Sequence, residues 1–88
     1  MGKLSEFDRA FSSVNQDRGK IYGHPFYGFT RAQCLMDCIK DCPNPQVRHA
    51  LMMICVKMAR LAVAPDHLDS WIDIAGYART GVMCLEPL

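Results

Sequence analysis

Residues 46–63 form a stretch that is apolar on most sides, bounded by Pro45 in front and Pro65 behind. Proline suits the first helical position or the position just past an end, but not a helix interior. The stretch therefore reads as one uninterrupted helix. A second helical pattern covers 66–83, separated only by Ala64-Pro65, so the two rods must run antiparallel. Residues at equal distances from the turn then lie opposite each other, which sets Lys57 level with Asp73 and Arg60 level with Asp69. Each pair of like charges shares one face of its helix, since residues three and four apart are neighbours on a helix surface. A cross-hairpin ionic cluster is the expected result.

The remaining elements fit around this hairpin. Leu4, Phe7, Phe11 and Val14 recur at three- and four-residue steps and predict an amphipathic first helix over 4–18. Residues 16–29 contain three glycines and a proline and are expected to be irregular. This segment places Arg18, Lys20 and His24 beside Tyr22, Phe26, Tyr27 and Phe29. It reads either as an aromatic strap over one end of the bundle or as a functional loop. A second helix is expected over 30–42, with Ala32, Leu35, Met36 and Ile39 inward. Asn44 caps the third helix, whose apolar breadth makes it central or part of a subunit interface. Asp66 is the expected cap of the fourth, with Leu68, Ile72, Ala75 and Val82 facing the core. Gly76 costs about 1 kcal/mol of helix propensity against alanine, which points to close approach by another helix or a bound group. The fold class is therefore an all-α, compact four-helix domain, 1–88, with the irregular segment between helices 1 and 2.

Bulk properties narrow the functions available. A chain of 88 residues has little surplus core, which favours oligomerisation. Its formal net charge of +1 has no basic block behind it, so nucleic acid and anionic membranes are not attracted at long range. No run approaches the roughly 20 apolar residues of a membrane span. The first residues lack a secretory apolar core, and five cysteines, an odd number, read as reduced thiols in a cytosolic protein. Cys34, Cys38 and Cys42 would form a stripe on one helix. Three thiolates from one rod, with no evident fourth ligand, read as small apolar packing residues rather than a metal site.

Two readings of the ionic cluster follow. In one, the pairs satisfy charges that a strongly apolar helix would otherwise strand, and they set helix register. In the other, Arg18, Lys20, His24, Lys57 and Arg60 converge on a phosphate, with Tyr22 and Tyr77 nearby to stack or hydrogen-bond. Asp69 and Asp73 would be the oxygen ligands of Mg²⁺ if the site were catalytic. No nucleophile–base–orienter set, phosphate-cradling glycine loop or zinc spacing is present.

The combination Arg18-Gly19-Lys20-x-Tyr22-Gly23-x-Pro25, Leu51-Met52-Met53 with Lys57-x-x-Arg60, and Pro65-Asp66-His67-x-Asp69-Ser70-x-x-Asp73-Ile74-Ala75-Gly76-Tyr77-Ala78 resembles a family of small phage and prophage helical proteins of unassigned function. Through its Asp73-to-Tyr77 helix, that family is distantly similar to all-α nucleoside-triphosphate pyrophosphatases of the MazG type. Such enzymes bind Mg²⁺ with paired glutamates on one helix and Glu-x-x-Asp on the next. In this chain Asp73 matches the final acid, Ser70 stands at the glutamate position, and the only glutamates are Glu6 and Glu86. His24, Gly28 and Thr30 occupy positions where the phage pattern carries Asp, Asn and Glu.

The resemblance implies a phage-encoded protein acting in the host cytoplasm, in counter-defence or host takeover. With the acids thinned out, the expected activity is non-catalytic binding of a nucleotide-like or phosphorylated ligand, or of a host protein, without a cofactor and with self-association. A divergent Mg²⁺-dependent pyrophosphatase using Asp69 and Asp73, and a purely structural oligomerising domain, are the alternatives.

Overall fold

A computed structural model describes residues 2–11, 23–86 and 88. Among these, four helices and no strands are present: α1 (Lys3–Phe11), α2 (Pro25–Asp37), α3 (Pro45–Val63) and α4 (Leu68–Met83). The all-α class expected from the sequence is the class observed. α3 lies between its neighbours and packs extensively against both α2 and α4.

Local chemistry accounts for most helix limits. The Asn44 side chain accepts hydrogen bonds from the backbone N–H groups of Gln46 and Val47 at 3.0 and 3.1 Å, and Pro45 follows at the first helical position. Both features satisfy or remove donors that a helix start leaves unpaired. Arg48 reaches back from α3 and donates to the carbonyl of Cys42 at 2.8 Å, tying the helix to the preceding turn. At the far end, Ala64 leaves helical geometry and its N–H closes on the Arg60 carbonyl at 2.9 Å. Trp71 then spans the turn, its indole N–H donating to the Pro65 carbonyl at 2.9 Å.

Three boundaries differ from expectation. α2 starts at Pro25, inside the segment expected to be irregular, because the His24 ring accepts from the Phe26 N–H at 3.1 Å and Pro25 pre-sets the first turn. Phe26 and Phe29 consequently stand exposed on a helix rather than strapping the bundle, and Phe26 meets Tyr27 edge to face with ring centroids 5.4 Å apart. α2 also stops at Asp37, so Cys34, Cys38 and Cys42 do not share one helix; the first two are exposed. The cap of α4 is His67 rather than Asp66, and its side chain makes no capping hydrogen bond. Of the first predicted helix, 12–18 lies outside the described residues.

The core is narrow. Among the described residues the buried apolar set is Ala32, Ala50, Cys55, Ala59 and Leu61, with Ser70 as the buried polar residue. Ala32 from α2 is buried, with Leu35, Met36 and Ile39 half-buried beside it, as their spacing predicts. The inward face of α4 is the larger correction. Leu68, Ile72, Ala75 and Val82 are exposed, and the buried or half-buried stripe is Ser70, Asp73, Ile74, Tyr77 and Gly81. α4 carries apolar residues around most of its circumference, so periodicity alone does not select a face. Contact with α3 selects the stripe that carries Ser70, Asp73 and Gly81. A Cβ placed on Gly81 would sit 3.4 Å from the Ala50 Cβ, ordinary van der Waals contact, which marks how closely the two helices approach.

Candidate functional site

The α3–α4 hairpin brings Lys57 and Asp73 together as its symmetry about Pro65 requires. The Lys57 ammonium lies 2.9 Å from Asp73 Oδ2. Lys57 is nearly enclosed, with 12% of its side chain exposed, whereas Asp73 keeps 45%. The enclosed ammonium is thus satisfied by a carboxylate that water still reaches. The ammonium hydrogen-bonded to it holds the Asp73 carboxyl below the usual carboxylate range. Partial desolvation works in the opposite direction, while the fields of Lys57, Arg60 and His67 add to the lowering.

Arg60, one turn along α3, is half-buried and contributes to that field. Asp69, which the hairpin geometry sets level with Arg60, is exposed in the first turn of α4, where an acid complements the helix dipole. His67 and Ser70 join the cluster from the start of α4, with His67 Nδ1 3.0 Å from Ser70 Oγ. This spacing suits a base and a nucleophile, but Ser70 is 1% exposed. No substrate atom can reach it, so the bond works as a brace across the first turn of α4. Ser70 is a cluster member that sequence reasoning missed; its signal is a small polar residue three positions after a histidine at a helix start.

Tyr77 stands one turn beyond Asp73 and is half-buried. It lines an open groove of about 530 Å³ between the first half of α3 and the second half of α4, together with His49, Ala50, Met53, Thr80 and Cys84. The Thr80 hydroxyl is turned back to the Gly76 carbonyl at 2.9 Å. His24 caps α2 through its ring nitrogen, which assigns that atom an acceptor role. Arg18, Lys20 and Tyr22 lie outside the described residues.

The donor set does not suit a divalent cation. Asp73 is committed to Lys57, and among the described residues no three His, Cys, Asp or Glu side chains gather where they could share an ion. Mg²⁺ is usually held through one or two carboxylates and several waters, so a carboxylate already engaged by an ammonium is a poor ligand for it.

These features define an all-α helical-hairpin protein with a nearly enclosed basic residue neutralised across the hairpin and a groove at its open end. The chain belongs to the family described as Domain of unknown function (DUF6378), which it matches over residues 6–84. It is also 32% identical, over 74 residues, to the Gene 55 protein of Mycobacterium phage D29, a match covering 84% of this chain and 49% of that protein. The chain thus spans about half the length of that curated relative. The expected phage association is supported by this likeness. No solved structure matches the chain. Among the described residues no helix is long and apolar enough to cross a membrane.

Proposed function

We propose that this chain is a non-catalytic binding module of phage origin whose ligand is a protein seated on exposed apolar helix surface. The observation that carries the reading is the outer face of α4. Leu68, Trp71, Ile72, Val82 and Met83 are each 52–67% exposed along one side of a single helix. Contiguous apolar surface of this kind marks interaction sites in soluble proteins. The Lys57–Asp73 pair has a supporting role: it fixes the register of the hairpin that presents the face. A counter-defence or takeover role in the host cytoplasm is the biological form proposed for this reading, and self-association is part of it. A photo-crosslinking residue at Ile72 or Val82, introduced in the infecting phage, tests it. Discrete protein adducts at these positions, absent at the exposed Lys40, are expected; no adduct at either position overturns the reading.

The α3–α4 groove favours a second reading, a nucleotide-like ligand. Its aromatic part would lie against Tyr77 and Met53, with its phosphate directed one turn onward to Lys57 and Arg60. Lys57 would have to exchange Asp73 for the phosphate, which makes this the weaker case. A thermal shift with nucleotides, independent of metal and lost in both Tyr77→Ala and Arg60→Ala, supports it. Magnesium-dependent turnover of nucleoside triphosphates, lost in a folded Asp73→Ala variant, would overturn the non-catalytic assignment.

A further inference from the structure

We infer that the occupant of the α4 face is a second copy of this chain, its α4 lying antiparallel to the first and crossing near Ala75. The inference rests on the reading of α4 as a protein-docking surface and names what docks there.

Three observations carry it. The face is apolar at both ends: Leu68, Trp71 and Ile72 form one end and Val82 and Met83 the other, with Ala75 and Arg79 between them and Gly76 on the flank. Reversing one helix against the other sets each apolar end beside the opposite apolar end and brings the two copies of Ala75 together. Small residues at a crossing point let two helix backbones approach closely.

The second observation concerns Gly76. A Cβ placed on it meets nothing within 4 Å among the described residues, so their packing gives no reason for a glycine in mid-helix. A helix arriving from outside supplies one. The contrast with Gly81 is internal to the same helix, since Gly81 already meets Ala50 of α3.

The third is charge. Asp69 and Arg79 are exposed on the outward side of α4, near its opposite ends. About a two-fold axis through Ala75, Arg79 of one copy comes within roughly 3 Å, along the helix direction, of the level of Asp69 in the other, from the 1.5 Å rise per residue. Arginine spans that offset easily. The symmetry makes the contact twice, as an isologous interface requires. Arg79 rests against the Met83 sulfur at 3.3 Å, so the cation already lies along the apolar face.

One helix per partner is a small interface, so the expected affinity is modest, with a dissociation constant on the order of tens of micromolar. Sedimentation equilibrium of the 88-residue chain from 1 to 500 µM is the test. The expected result is a concentration-dependent rise from 9.9 kDa toward twice that mass. Trp71, the single tryptophan and half-exposed on the face, should shift its emission to the blue over the same range. Asp69→Arg and Arg79→Asp should each weaken the dimer about tenfold, and the double swap should restore it. Gly76→Gln should abolish it while leaving the monomer at least as helical. A monomer at 500 µM overturns the self-pairing, as does a dimer indifferent to Gly76→Gln and to the charge swap. Neither result touches the broader docking assignment, which falls separately if Ile72 and Val82 yield no crosslinked protein in infected cells.

Discussion

Leu61 and Leu68 are chemically identical, lie on consecutive helices, and are assigned opposite fates by the structure. Leu61 is 8% exposed and is the largest side chain of the buried apolar set, which otherwise consists of three alanines and a cysteine. Leu68, expected from periodicity to be a core residue, is 67% exposed. Leu61→Ala removes the equivalent of three methylene groups, about 2.4 kcal/mol of transfer free energy. A term for the cavity left behind brings the loss to about 3 kcal/mol. For a chain of this size, that lowers the melting temperature by about 12–24 °C, from a total stability of roughly 4–13 kcal/mol. Leu68→Ala should change stability by less than about 0.5 kcal/mol, the usual range for surface positions. Far-UV circular dichroism during urea and thermal unfolding reads both, at or below about 1 µM, where the expected modest self-association leaves the monomer dominant. The comparison should be repeated at several hundred micromolar, where Leu68→Ala should become costly if α4 pairs with itself. Equal losses for the two variants in dilute protein would refute the assigned faces of α4.

Acid unfolding provides a second check. The Asp73 carboxyl is held below its unfolded value by the Lys57 hydrogen bond, so as pH falls the unfolded chain takes up the proton first. The pair's contribution is therefore complete above about pH 4 and disappears as pH drops through the lowered folded value. Asp73→Asn should flatten this part of the acid limb of a stability–pH curve; an unchanged limb would remove Asp73 from the account. Gly23 precedes the His24 cap with φ of +76°, so Gly23→Ala should cost about 1 kcal/mol, recovered in part by asparagine and read from chemical denaturation. Equal stability of the alanine variant would argue against that backbone geometry. Thiol labelling should separate the cysteines. Cys34 and Cys38 are exposed and should react on mixing, whereas Cys55, buried and with its thiol pushed up by burial and by the neighbouring Cys38, should react only as the chain opens. Prompt labelling of Cys55, followed by peptide mass spectrometry, would contradict its burial.

What the amino-acid order determined without help was whatever depends on neighbours along the chain. Asn44-Pro45 starts α3, Pro65 breaks the hairpin, and the equal spacing of Lys57 and Asp73 about that break brings an ammonium and a carboxylate to 2.9 Å. The inward row of α2, Ala32 with Leu35, Met36 and Ile39, was legible for the same reason, because those residues recur at helical spacing along the chain. The early start of α2 was not read, since three glycines outweighed the combination of a His24 acceptor with Pro25 at the first helical position. Nor was the His67–Ser70 brace, which depends on Ser70 being enclosed.

Only the tertiary arrangement decided which side of α4 is inside. That helix offers Leu68, Ile72, Ala75 and Val82 on one side and Ser70, Ile74, Tyr77 and Gly81 on another, and hydrophobicity favours the first. The second prevails because α3 presents Ala50 for close approach and an enclosed Lys57 that requires a carboxylate opposite. Seating the bulkier side there would separate the helices and leave a charge without its counter-ion. That choice between two apolar faces is made by fit and charge across the hairpin, and it turns the greasier surface of α4 outward.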